Sequence, residues 1–170
     1  MRRILFGLAA FASFVAVAAA QDVTGDLKGP AAESVARYLK QTRIACFTRK
    51  GEQKCPIIDM ATNASLFHGS FGNDPTPHAV AFVGYQYDQT GNAVSQMAIV
   101  FKEASGRWTA VDRADETVGT EPRQVRFGQG VITYVGTVLG PNDSRASPTG
   151  HGRFSLKVTD RGVTFSKAGR

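Results

Sequence analysis

Histidine, cysteine and tryptophan are scarce in this chain of 170 residues, which has three, two and one of them. His68, His78 and His151 show none of the spacings that converge imidazoles on a metal, such as His-x-x-x-His on one helix face, and there are no Cys-x-x-Cys pairs to help them. No metal centre and no cofactor are expected. Recognisable catalytic motifs are missing too. There is no Gly-x-Ser-x-Gly elbow to expose a nucleophile. Without it, Asp143, Ser147 and His151 read as members of a polar turn, whose Pro, Asn, Asp and Gly serve the backbone. Gly128-Gln129-Gly130 lacks the later glycine, the lysine and the strand-to-helix setting of a phosphate loop, so it reads as a bulge or turn within a strand. Asp112, Asp115 and Glu116 read as solvated residues at a strand end rather than as a catalytic carboxylate pair. No catalytic residue is assigned on this basis, and an enzyme is the less favoured class.

Beyond residue 20 there is no long apolar run. The one near the start follows Arg2 and Arg3, is about sixteen residues long, and ends in small residues, Ala18 and Ala20. A spanning helix needs about 20 apolar residues. Basic start, apolar middle and A-x-A exit together predict a signal peptide over 1–20, cut before Gln21. The mature chain is then expected in the periplasm or outside the cell, with no transmembrane segment. Removing Arg2 and Arg3 lowers the net charge of +6 by two. In an oxidising compartment the only two thiols, Cys46 and Cys55, are expected to form a structural disulfide. Closing so short a loop contributes about 2–3 kcal/mol on chain-entropy grounds.

What is present reads as one domain of mixed structure. Residues 21–29 are polar and expected to be flexible. Pro30 fits a first helical position, Glu33 suits the positive end of the dipole, and Val35, Tyr38, Leu39 and Thr42 recur at helical spacing, which predicts an amphipathic helix over 30–44. From there the pattern shortens to strand-like runs. Runs 44–48 and 54–59 flank a hairpin turn at 49–52 that the disulfide would clip. A weaker run covers 65–71, and a break rich in Pro, Gly, Asn and Asp covers 72–77. Runs 78–87, 93–103 and 107–112 form a meander, with turns at 88–92 and 104–106. The first of these carries bulk on both faces (Val80 and Phe82; Val83, Tyr85 and Tyr87), which marks it as central, with the helix covering one side. Runs 124–127, 131–139, 153–159 and 163–165 follow. The expected fold is α+β: one N-terminal amphipathic helix packed on a mostly antiparallel, curved β-sheet, as a single domain over 30–170.

Three stretches carry a resemblance. They are Gly106-Arg107-Trp108, the run 125–131 (Val-Arg-Phe-Gly-Gln-Gly-Val), and the run 143–149 (Asp-Ser-Arg-Ala-Ser-Pro-Thr). Their order resembles the second half of a loose group of exported bacterial proteins of unassigned function, marked by Asp-x-x-Cys-Cys-Pro-Ser/Thr. Ala146 and Ser147 stand where that group has its cysteine pair, so no role of that pair carries over. The resemblance spans about half the chain and implies export and a similar fold.

Charge is distributed unevenly. Residues 21–120 hold 10 basic and 11 acidic side chains, whereas 121–170 hold 8 and 3. Arg123, Arg126, Arg145, Arg153, Lys157 and Arg161 are therefore the candidate basic face, suited to an anionic envelope component or a protein partner. Nucleic acid is not expected, because no aromatic and basic platform is visible. The leading expectation is a non-enzymatic binding or interaction module. The alternative is a small-ligand pocket or a simple acid–base enzyme on the helix-capped sheet, with His78, Tyr85, Tyr87, Trp108 and Asp112 as pocket residues. Oligomeric state stays open.

Overall fold

A computed structural model describes residues 22–87, 94–144 and 146–167. The expected signal peptide, the turn expected at 88–92 and Arg145 lie outside the described residues.

The elements are β1 (Asp22–Thr24), α1 (Ala32–Gln41), β2 (Phe47–Arg49), β3 (Glu52–Lys54), β4 (Ile57–Asp59), α2 (Met60–Asn63), β5 (Ala64–Phe71), β6 (Asp74–Tyr85), β7 (Ser95–Ala104), β8 (Arg107–Thr117), β9 (Thr120–Phe127), β10 (Val131–Val138), β11 (Gly150–Thr159) and β12 (Gly162–Lys167). They build two four-stranded antiparallel sheets, β5-β6-β7-β8 and β9-β10-β11-β12, each a meander. The expectation of one helix on a single curved sheet is overturned. The reason lies in β6 and β7. Alternate residues of a strand point to opposite faces. Ala79, Ala81, Val83, Met97, Ile99 and Phe101 pack under α1, against its Val35 and Leu39. Val80, Phe82, Ala98 and Val100 face the other way and meet Ile132, Tyr134, Phe154 and Leu156 of the second sheet. The first sheet is thus the middle layer, covered by a helix on one face and a sheet on the other.

Both edges of this sandwich are stitched. On one side the Asp112 carboxylate of β8 accepts a hydrogen bond from the Val163 amide of β12 at 2.9 Å. On the other the Gly72 amide donates to the Gly128 carbonyl, and Phe71 meets Phe127 with ring centroids 5.7 Å apart. Residues 118 and 119 carry the chain from the first sheet to the second.

Other differences from the sequence reading are local. The helix is shorter than 30–44. The segment expected to be loose contains β1, which pairs in parallel with β4. The break expected at 72–77 is only a two-residue turn, because β6 starts at Asp74 and includes Pro75 and Pro77. Pairing of β6 with β7 begins only at His78, so neither proline is asked for a ladder hydrogen bond on that side. The hairpin of β2 and β3 turns through Lys50 and Gly51, and that of β7 and β8 through Ser105 and Gly106, all four with positive φ. This is the tight turn whose twist matches antiparallel strands. Cys46 and Cys55 are disulfide-bonded across the base of the first hairpin, as expected. Among the described residues no helix is long and apolar enough to cross a membrane.

Candidate functional site

In the second sheet the inward residues Ile132 and Tyr134 leave Val131, Thr133 and Val135 on the outer face of β10. Residues directly opposed in a ladder share a face. Lys157 opposes Val131, Arg153 opposes Val135 and His151 opposes Thr137 on one side; Arg126 opposes Thr133 and Arg123 opposes Val135 on the other. Four basic side chains, Arg123, Arg126, Arg153 and Lys157, therefore lie on the outer face.

That grouping depends on an irregularity in β9. A step of three residues along a regular strand would send Arg123 and Arg126 to opposite faces. The register shifts between Thr133 and Val135 and again before Thr137, and Gln124 and Glu121 have φ of 51° each. Bulges of this kind re-aim a side chain. Here they put both arginines on one face.

The four cations are held differently. Arg123 is engaged in a chain of polar contacts: Nη2 donates to Nδ1 of His151 at 2.7 Å and Nη1 to the Thr137 hydroxyl at 3.1 Å, and that hydroxyl donates to Glu121 at 3.0 Å. Arg126, Arg153 and Lys157 make no ion pair among the described residues. Arg126 and Arg153 line a cavity of about 310 Å³ with Gln124, Thr133 and Val135. The arrangement offers two guanidinium forks and an amide to an anion. Arg161 is in the turn between β11 and β12, where its amide donates to the Thr159 hydroxyl, and so does not belong to the sheet face. Gln124, Thr133 and Val135 were not singled out from sequence, because nothing in the residue pattern signals the bulge that groups them.

The five residues expected to line one pocket are not brought together. His78 is buried on the side of the second sheet, where Nδ1 bonds to the Thr76 carbonyl at 2.8 Å and the ring lies 4.5 Å from that of Phe71. Asp112 is the edge stitch to Val163. Tyr85, Tyr87 and Trp108 lie on the helix side. Tyr85 opposes Ser95 whereas Trp108 opposes Glu103, eight residues further along β7, a separation of about 26 Å at strand rise. The two tyrosines pack on each other and bond to the backbone, Tyr85 to the Asp115 carbonyl at 3.4 Å and Tyr87 to the Ala45 carbonyl at 3.0 Å. Burial pushes both phenols above their ordinary pKa.

In the 140–149 loop, Asp143 accepts hydrogen bonds from the Gly140 amide at 2.7 Å, from the Thr149 amide, and from the Thr149 hydroxyl at 2.9 Å. These donors lower its pKa to about 2. The carboxylate is thus a clamp on its own loop, while His151 is bonded to Arg123. Because the folded pKa lies below the ordinary value, the clamp is complete at neutral pH and is lost as pH falls from about 4 through about 2. Asp143→Ala at neutral pH is expected to speed hydrogen exchange at the Gly140 and Thr149 amides severalfold with little change in Tm. Unchanged exchange at those two amides would remove this role from Asp143. Among the described residues no group of three or more His, Cys, Asp or Glu could hold a metal ion.

No protein-family model matches the chain, and no match was found among curated proteins or solved structures.

Proposed function

We propose that the protein is an exported binding module that presents the outer face of its second sheet to an anionic component of the cell envelope. The observation that carries this reading is the convergence of Arg126, Arg153 and Lys157 on one face, where Arg126 and Arg153 line a concavity, with Arg123 held beside them by a chain of contacts that ends on Glu121. The signal-like start of the chain, its disulfide and the resemblance to exported proteins support the cellular setting. The two-sheet scaffold supplies a rigid platform, because the inner face of the same strands is a packed core.

Each basic residue near an anionic surface contributes about 1 kcal/mol. The triple charge swap Arg126→Glu, Arg153→Glu and Lys157→Glu is therefore expected to weaken binding on the order of a hundredfold or more. The probes are phosphatidylglycerol vesicles, phosphatidylcholine vesicles and an immobilised acidic polysaccharide. Retention on at least one anionic probe is expected, falling with salt as the Debye length shrinks from about 30 Å at 0.01 M to about 8 Å at 0.15 M. Equal binding by the folded swap variant, or no salt-sensitive retention on either anionic probe, overturns the reading.

A further inference from the structure

A separate groove lies where α1 meets the edge strand β8. Trp108, the only tryptophan in the chain, is the second residue of β8 and follows the tight turn at Ser105 and Gly106. It sits at the margin of the helix-side core and is only half-buried. The His68 ring meets the indole edge-on with centroids 5.5 Å apart, which fixes its orientation. Tyr38 of α1 meets Phe101 in the same way at 6.0 Å, forming an aromatic back wall.

Two adjoining cavities open here and share Ser34, Arg37, Arg107 and Trp108. One, of about 270 Å³, reaches Tyr38, Phe101 and Ala110 and is the apolar end. The other, of about 360 Å³, reaches Pro30, Glu33 and Gly106 and is the polar end. The acids near this groove already have partners. Glu33 pairs with Arg37 at 2.9 Å, and Glu103, which opposes Trp108, accepts the Gly106 amide. Arg107 makes no ion pair among the described residues. A guanidinium carries five donors, so Arg37 keeps free ones beyond its bond to Glu33.

We propose that this groove binds a small organic anion with a flat apolar body, an aromatic carboxylate being the class that fits. Its ring lies against the Trp108 indole beside Tyr38, and its carboxylate meets the forks of Arg107 and Arg37. Three features select this chemistry. The indole of Trp108 lines both cavities and is only half-buried, and an indole is a flat apolar surface on which a ring can pack. A planar guanidinium matches a carboxylate with two parallel hydrogen bonds, which a hydroxyl cannot reproduce. The cavities are near the lower end of ligand sites, which run from about 300 to 1,000 Å³, so the ligand is small.

A single tryptophan gives one indole N–H resonance, and that resonance is the reporter. Phenylacetate titrated into the intact protein is expected to shift it saturably. Phenylacetamide, the neutral isostere, is expected to bind about tenfold more weakly, the factor for losing one charge-assisted pair. Arg107→Gln, at an exposed position, should weaken phenylacetate by a similar factor while leaving the resonance dispersed. Cyclohexylacetate, charged but not flat, should fall below phenylacetate. No saturable shift, equal binding of acid and amide, or no effect of Arg107→Gln overturns the proposal. The groove shares no residue with the basic sheet face, so the charge-swap variant of that face should bind phenylacetate unchanged, and each proposal fails on its own measurement.

Discussion

Phe82→Ala is expected to lower the free energy of unfolding by about 3–5 kcal/mol, the range for emptying a large aromatic site in a well-packed core. Phe82 is fully buried in β6, on the face turned to the second sheet. Its ring lies 4.6 Å from that of Tyr134 and 6.1 Å from that of Phe67. Tyr134 continues the contact to Phe154 at 5.3 Å, and Phe154 to Phe165 at 5.8 Å. One truncation therefore breaks an aromatic run, from Phe67 to Phe165, at the point where it crosses from one sheet to the other. Urea unfolding is the measurement, with Arg126→Ala as a surface reference expected within about 0.5 kcal/mol of wild type. A loss below about 1 kcal/mol for Phe82→Ala would mean that the sheets do not pack through this ring.

Gly136→Ala is expected to destabilise by about 3 kcal/mol, at the upper end of overpacking effects. Gly136 lies in β10 beneath the crossing from β8 to β9. A methyl group there would stand 2.6–2.7 Å from the Cα, carbonyl carbon and oxygen of Gly119. Those are backbone atoms, so no rotamer change relieves the clash. Gly119 has φ of 94°, and its own Cβ would come within 2.5 Å of the Phe154 ring. Two glycines thus let the chain pass over itself at the corner between the sheets. Comparison with Gly51→Ala separates the two sources of strain. Gly51 has φ of 79° but nothing within 4 Å, so its variant carries the backbone penalty alone. Gly136 has no positive φ, so its variant carries the close approach alone, and a Gly136→Ala protein that unfolds at the wild-type urea concentration would show that this approach costs nothing.

Much of the local structure was legible. Val35 and Leu39 at helical spacing marked the face of α1 that is buried, and the two cysteines and their turn marked the first hairpin. Val80 and Phe82 against Val83 and Tyr85 marked β6 as buried on both faces. What covers the second face was not legible. Alternation in β10 and β11 says which side chains turn inward, not which layer they meet. The basic residues were legible as a charge imbalance, but their grouping was not. It depends on the bulges in β9, where Glu121 and Gln124 occupy a conformation no residue type there advertises. The five pocket residues were chosen for their chemistry and fell on both sides of the first sheet, because only the parity of each strand decides the face. Trp108 lines the groove between α1 and β8, and the other four do not.

The order of strands also bears on how the chain assembles in time. Within each four-stranded sheet every ladder joins strands that are neighbours in sequence. Short-range pairing of this kind closes quickly, since little loop entropy is lost before contacts form. The first sheet ends at Thr117 and the second starts at Thr120, so a chain threading out from its N-terminus can finish one before the other has emerged. During that interval the surface of Val80, Phe82 and Val100 is bare. Such transient apolar surface is where aggregation begins. The speed with which residues 120–167 follow sets how long this intermediate stays exposed.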